Sequence, residues 1–306
     1  MNALALVVHL VALIVLTPLV PGLIVRTKSW WGGRRGAPLL QTAWDLVRLA
    51  RKTPVYSRTT STVFRVGPYV ALGTSLLASL VVPIAGVSPL AFAGDFVFFA
   101  YLWGLGRVAL MLGALDTGSP FEGMGASREA TFSTLLEPVL FLIVGALWLA
   151  SGESTFGAML HHHGPLPLGF ALTVPVVAAL VVLVQVESSR MPVDDPTTHL
   201  ELTMVHEVMI LDHSGPDLAA LQAANAIKLV TGAGLIAAAL VPAGPGLPGP
   251  LVAALHVAGV LLLAVALGTV ESLVARLRMR AIPAYILAGL VAGTAAVMIG
   301  AWGSAP

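Results

Sequence analysis

Eight stretches of about twenty apolar residues recur along this chain, near 4–25, 68–87, 95–115, 131–150, 168–186, 226–243, 251–270 and 282–302. Each has the length an α-helix needs to cross the hydrocarbon core of a bilayer. A helix satisfies its own backbone polar groups, which lipid cannot do, so the expected fold class is all-α: a polytopic membrane protein with about eight transmembrane helices plus cytoplasmic amphipathic helices. Pro83 and Pro138 fall inside the second and fourth stretches. Neighbouring helices can satisfy the groups that proline frees. Charged residues make up 10% of the chain, whereas a soluble domain carries roughly 25% to keep its surface wet. No polar stretch is long enough to form a separate domain, so residues 1–306 read as a single transmembrane domain. The stretch from Leu4 to Val25 lacks a basic leader and a small-residue cleavage pattern, and reads as a retained span.

Charge placement gives the topology. If the loops alternate, 26–67, 116–130, 187–225 and 271–281 share one side and hold every Lys and Arg except Arg107 and the border residue Lys228. The opposite loops, 88–94, 151–167 and 244–250, hold none. The positive-inside rule then places both termini outside and the four charged loops in the cytoplasm. The formal charge of +1 leaves no basic excess for nucleic acid. With no cysteine, the chain supplies no thiolate to an iron–sulfur cluster, a disulfide or zinc, so any redox centre belongs to another subunit.

Two charged loops carry structure of their own. Residues 38–53 place Leu39, Ala43, Leu46 and Ala50 at helical spacing opposite Arg48, Arg51 and Lys52, the pattern of an amphipathic helix lying along the membrane surface. In the other loop, Asp195-Pro196 has the form of a helix start, and the spacing predicts a helix running to Gly215-Pro216. The run from Glu187 to Glu207 gathers Glu187, Arg190, Asp194, Asp195, His199, Glu201, His206 and Glu207 where the fifth span meets the cytoplasm. Clustered carboxylates and imidazoles at such an edge can pass protons, because repulsion and partial burial raise carboxylate pKa values and histidine already titrates near neutrality. A solvated docking face accounts for the same residues. His206-Glu207 opens like a metalloprotease helix, but that motif needs a second histidine at position 210, which is Ile. His199, His206 and His213 recur every seven residues, roughly 10 Å apart on a helix, which is too far to share one ion. No metal site is expected.

Within the spans, Arg107, Glu137 and His256 are candidates for function, since an unpaired charge facing lipid costs several kcal/mol. Sequence does not show whether Arg107 and Glu137 pair. Asp95, Asp116 and Glu271 mark span ends, where ordinary interfacial placement accounts for them. Gly104-Leu-Gly106 lies inside a span and reads as helix packing, and His161, His162 and His163 read as a plain polar outer loop.

Several segments resemble the membrane subunit shared by respiratory complex I, called NADH dehydrogenase subunit 1, and by energy-converting membrane-bound nickel–iron hydrogenases such as formate hydrogenlyase and hydrogenase-4. The matching stretches are Gly36–Gln41 with Asp45, Asp116–Glu129, Glu137-Pro138 and Glu187–Gly215. Pro192-Val-Asp194-Asp195-Pro resembles the hydrogenase-4 form, where complex I carries Pro-Phe-Asp followed by closely spaced glutamates. Thr53 stands where the family often has an acid. The resemblance implies a membrane-anchoring, ion-coupling subunit of a complex I-like redox assembly with no catalytic cofactor of its own. The NiFe centre and iron–sulfur clusters would lie in partner subunits: hydrogenase-like large and small subunits and iron–sulfur subunits, beside antiporter-like membrane subunits. It assigns proton or sodium coupling to Glu137, Glu187, Arg190, Asp194, Asp195, Glu201, His206, Glu207 and Arg107. Docking of the peripheral arm falls to Gln41, Asp45, Asp116, Glu122, Arg128 and Glu129. Two alternatives stay open: a subunit that reacts with quinone, and a free-standing ion transporter.

Overall fold

A computed structural model describes residues 3–161, 168–194, 204–241 and 248–303. Among them are eleven α-helices: α1 (Ala3–Trp31), α2 (Gln41–Ala50), α3 (Thr62–Ser79), α4 (Asp95–Asp116), α5 (Pro120–Ser151), α6 (Phe156–Leu160), α7 (Leu168–Glu187), α8 (His206–Met209), α9 (Gly215–Leu240), α10 (Gly249–Leu273) and α11 (Ile282–Gly303). No strand occurs among the described residues. Seven helices, α1, α4, α5, α7, α9, α10 and α11, are long and apolar enough to cross a membrane. The stretch near 68–87 behaves differently. Its helix, α3, stops at Ser79, and turns and bends follow through the Pro83 segment. At 18 residues, α3 is about 27 Å long; Arg65 and its Ser and Thr residues make it less apolar than the rest. Pro138, in contrast, lies within a continuous α5.

The bundle forms around α9, which packs on α1, α2, α3, α7 and α10. Every residue from Leu229 to Ala239 is buried, as expected of a helix enclosed by protein on all sides. Its sequence is mostly Ala and Gly there, which lets backbones approach closely. A Cβ on Gly232 would lie 2.7 Å from Val184 Cγ2 of α7. On α11 the same device recurs where it packs on α5 and α7: Cβ atoms at Gly289 and Gly300 would lie 2.9 Å from Val182 Cγ1 and 2.8 Å from the Ala146 carbonyl oxygen.

The amphipathic helix expected over 38–53 is α2, which buries no residue fully and rests on α1 and α9. Its lead-in touches α1 at Gly22, where any Cβ would collide with the Leu39 carbonyl. The helix expected from Asp195 to Gly215 is corrected. Residues 195–203 lie outside the described residues, α8 spans only His206–Met209, a turn covers 210–212, and α9 starts afresh at Gly215 with φ +58. His206 and His213 therefore sit on different elements, not on one helical face. His213 instead stacks on Phe64, ring centroids 3.9 Å apart.

Candidate functional site

Four helices each contribute one charged side chain to a single buried network. Glu187 ends α7, and the backbone turns sharply behind it: Arg190 N donates to the Gln185 carbonyl at 2.8 Å, and Ser189 adopts φ 51. That turn leaves the Glu187 carboxylate inside the bundle, 2% exposed. Its Oε1 accepts from Lys228 Nζ of α9 at 2.9 Å, and its Oε2 faces Arg107 Nη1 of α4 at 3.5 Å. Arg107 Nη2 donates in turn to Glu137 Oε1 of α5 at 2.9 Å. The order Glu137, Arg107, Glu187, Lys228 alternates in sign, so each buried charge has an opposite neighbour and the four sum to zero. Glu137 is the open end, with a side chain 55% exposed. A cavity of about 140 Å³ runs between Tyr101, Trp103, Arg107, Glu137 and Glu187. Arg107 also lies within the field of the half-buried Glu129.

A second group fixes the segment after α7. Asp194 Oδ1 accepts from Arg276 Nη2 at 2.8 Å, while Oδ2 accepts from the backbone N–H of Val205 and His206 at 3.1 and 3.0 Å. One carboxylate thus pins the chain on both sides of residues 195–203. Nearby, Glu271 is shared between Arg190 Nε at 2.7 Å and Lys28 Nζ at 3.2 Å. Beside Asp194, α8 presents two titratable groups. Burial, then the Asp194 charge, hold the Glu207 carboxyl up to about 7. Burial, then the Lys228 ammonium, push His206 down to about 4. At neutral pH Glu207 is poised to gain or lose a proton and His206 is neutral. Helix α8 lies against α5 where Gly125 makes room for Val208, and Arg128 Nη1 donates to the Met204 carbonyl at 2.7 Å.

The residues singled out from sequence separate into three sets. Arg107, Glu137 and Glu187 converge, joined by Lys228, which sequence marks only as a border residue. Arg190, Asp194, His206 and Glu207 form the adjoining group, joined by Glu271, Lys28 and Arg276. Glu271, expected only to mark a span end, is thus a buried carboxylate shared between two cations. Asp195 and Glu201 lie outside the described residues. The expected docking residues make internal bonds. Gln41 Nε2 donates to Asp45 Oδ1 at 3.0 Å, and Asp45 also pairs with Arg48. Asp116 Oδ2 accepts from Ser61 N at 2.6 Å and Phe64 N at 3.3 Å, capping α3. Glu122 Oε1 accepts from Asp212 N at 3.2 Å. At the other end of α4, Asp95 Oδ1 accepts from Phe156 N at 2.7 Å and anchors α6. No group of three or more His, Cys, Asp or Glu among the described residues is placed to hold a metal ion.

The family model described as NADH dehydrogenase matches residues 3–301. The chain is 33% identical over 238 residues to hydrogenase-4 component C of Escherichia coli (strain K12), covering 76% of this chain and 74% of that one. It is 31% identical over 208 residues to formate hydrogenlyase subunit 4 of the same organism, covering 66% of each. Among solved structures, a chain of the membrane-bound sulfane sulfur reductase, an archaeal respiratory membrane complex, shares the fold with a TM-score of 0.79, 98% coverage of both chains and 19% identity.

Proposed function

We propose, from the premise that this chain belongs to the NADH dehydrogenase family, that it is the membrane subunit that links redox chemistry in a peripheral arm to ion movement across the membrane. The observation that carries the reading is the alternating network Glu137–Arg107–Glu187–Lys228, set inside a multi-pass bundle and flanked by the titratable pair His206 and Glu207. A buried charge is costly to keep without its partner, so a change in the proton of one member of such a network unbalances its neighbours. Neutralising Glu187 would release Lys228 and leave Arg107 to Glu137. The charge change would thereby move from the loop end toward the cavity.

The relatives are subunits named for hydrogenase-4 and formate hydrogenlyase, which supports an assembly with hydrogenase-like and iron–sulfur partners. The chain itself has no thiolate to hold a cluster. The arm rests on the segments around Asp194, α8 and the start of α5, on the cytoplasmic side, and antiporter-like subunits adjoin in the membrane. Proton or sodium is the coupling ion. The test is the number of ions moved per electron by the whole complex in sealed vesicles, measured for Glu187→Gln and Glu207→Gln. A fall of tenfold or more with electron transfer retained supports the reading. Unchanged coupling in both variants removes it.

A further inference from the structure

After α1 the chain doubles back on itself and brings three arginines together without an acid. Gly33 turns at φ +64, Arg34 N donates to the Ser29 carbonyl at 2.9 Å, and Gly36 packs so tightly on Ser29 that a Cβ would overlap its hydroxyl. That same Cβ would lie 3.6 Å from Arg26 Cα. The turn thereby brings the backbone that carries Arg34 and Arg35 back against the α1 turn that carries Arg26, and all three side chains are exposed with no ion pair among the described residues. Between Ala3 and Trp44 the sequence has no Asp or Glu. Glu271 of the adjoining α10 holds Lys28 and Arg190, and Asp45, the next acid along the chain, holds Arg48 and Gln41. Three like charges anchored on adjoining backbone with no acid to pair them make a local positive field that attracts an anion. A cavity of about 330 Å³ opens at this point, lined by Val25, Lys28, Ser29, Gly32 and Arg34.

Depth in the membrane identifies the anion. Helix α1 has 29 residues and is about 43 Å long, whereas the hydrocarbon core is about 30 Å thick, or some twenty residues. The apolar stretch of α1 closes at Val25, and Arg26, Lys28, Trp30 and Trp31 follow in the last turns of the helix, the residue types that favour the headgroup layer. Trp30 is 76% exposed, and tryptophan prefers that layer. Below it, Val7, Val11, Ile14 and Val15 expose an apolar face along the same helix. We infer that the Arg26–Arg34–Arg35 cluster is a binding site for the phosphate headgroup of an acidic phospholipid whose acyl chains lie along α1. The inference is independent of the coupling network.

The test quantifies phosphatidylglycerol retained by the whole complex in discs of phosphatidylcholine doped with it, using lipid mass spectrometry. Each guanidinium near an anionic headgroup contributes roughly fivefold, so the triple Arg26→Gln, Arg34→Gln, Arg35→Gln variant should lose on the order of 100-fold in affinity. The triple Lys variant should keep most of it, with phosphatidylcholine content unchanged throughout. A charge-matched control, Arg51→Gln, Lys52→Gln, Arg58→Gln, should retain the lipid. Single Arg34→Gln serves as the measurement if the triple variant does not assemble. Equal retention by variant and parent, an equal loss in the control, or displacement by inorganic phosphate as effective as by the lipid overturns the inference.

Discussion

Replacing Glu187 with Gln exposes the arithmetic of the buried network. Among the described residues Lys228 pairs with Glu187 alone, and its side chain is 12% exposed, so the substitution leaves a nearly buried ammonium without that counter-charge. Breaking a buried pair from one side costs about 3–5 kcal/mol, and partial access to water puts this case near 3. Arg107 suffers less, because Glu137 remains 2.9 Å away. Lys228→Met alone should cost about 2 kcal/mol, since Glu187 keeps Arg107 and loses one charge-assisted hydrogen bond. The double variant strands no cation and should cost about 1 kcal/mol or less. It should therefore fall about 4 kcal/mol short of the sum of the singles, beyond what independent sites show. Denaturant titration of the complex with each single and the double variant measures this coupling. Additivity within about 0.5 kcal/mol would refute the view that Glu187 and Lys228 act as one electrostatic unit.

Gly232→Ala should destabilise the α7–α9 contact by about 1–3 kcal/mol, because its Cβ would lie 2.7 Å from Val184 Cγ2; Val184→Ala in the same chain should recover part of the loss in the same titration. Gly22→Ala should lift the α2 lead-in off α1, read as faster tryptic cleavage after Arg48, Arg51 and Lys52 than in the parent; equal rates would count against the packing described. For Glu207 the folded pKa, about 7, exceeds its ordinary 4.5, so folding takes up a proton between those values and the α8 segment loses protection as pH rises through that window. For His206 the folded value, about 4, lies below 6.5, so protection falls as pH drops from 6.5 toward 4. Hydrogen exchange over 204–213 should show both limbs, with Glu207→Gln abolishing the first and leaving the second.

The membrane class was legible from the apolar stretches alone, because hydrocarbon imposes one length on every spanning helix. The shortfall of α3 was not, since turn geometry after Ser79 overrode a hydropathy that continued through Pro83. Arg107 and Glu137 stood out as charges inside apolar spans, yet their pairing joins residues thirty apart on different helices, which periodicity cannot register. Lys228 was hidden by lying at a span border, and Glu271 by lying at a span end. Both are recognisable only when packing shows which face of the helix they occupy. Over the described residues the predicted helix to Gly215 is interrupted, because α8 gives way to a turn at 210–212 and Gly215 at φ +58 starts α9 afresh.

Redox-triggered infrared difference spectroscopy on the intact complex addresses the coupling claim at its source, by following the carboxyl groups as the arm is reduced and oxidised. The account predicts a carboxyl protonation band that appears with the redox step in the parent and is lost in Glu187→Gln while electron transfer continues. An identical band in parent and variant would contradict it.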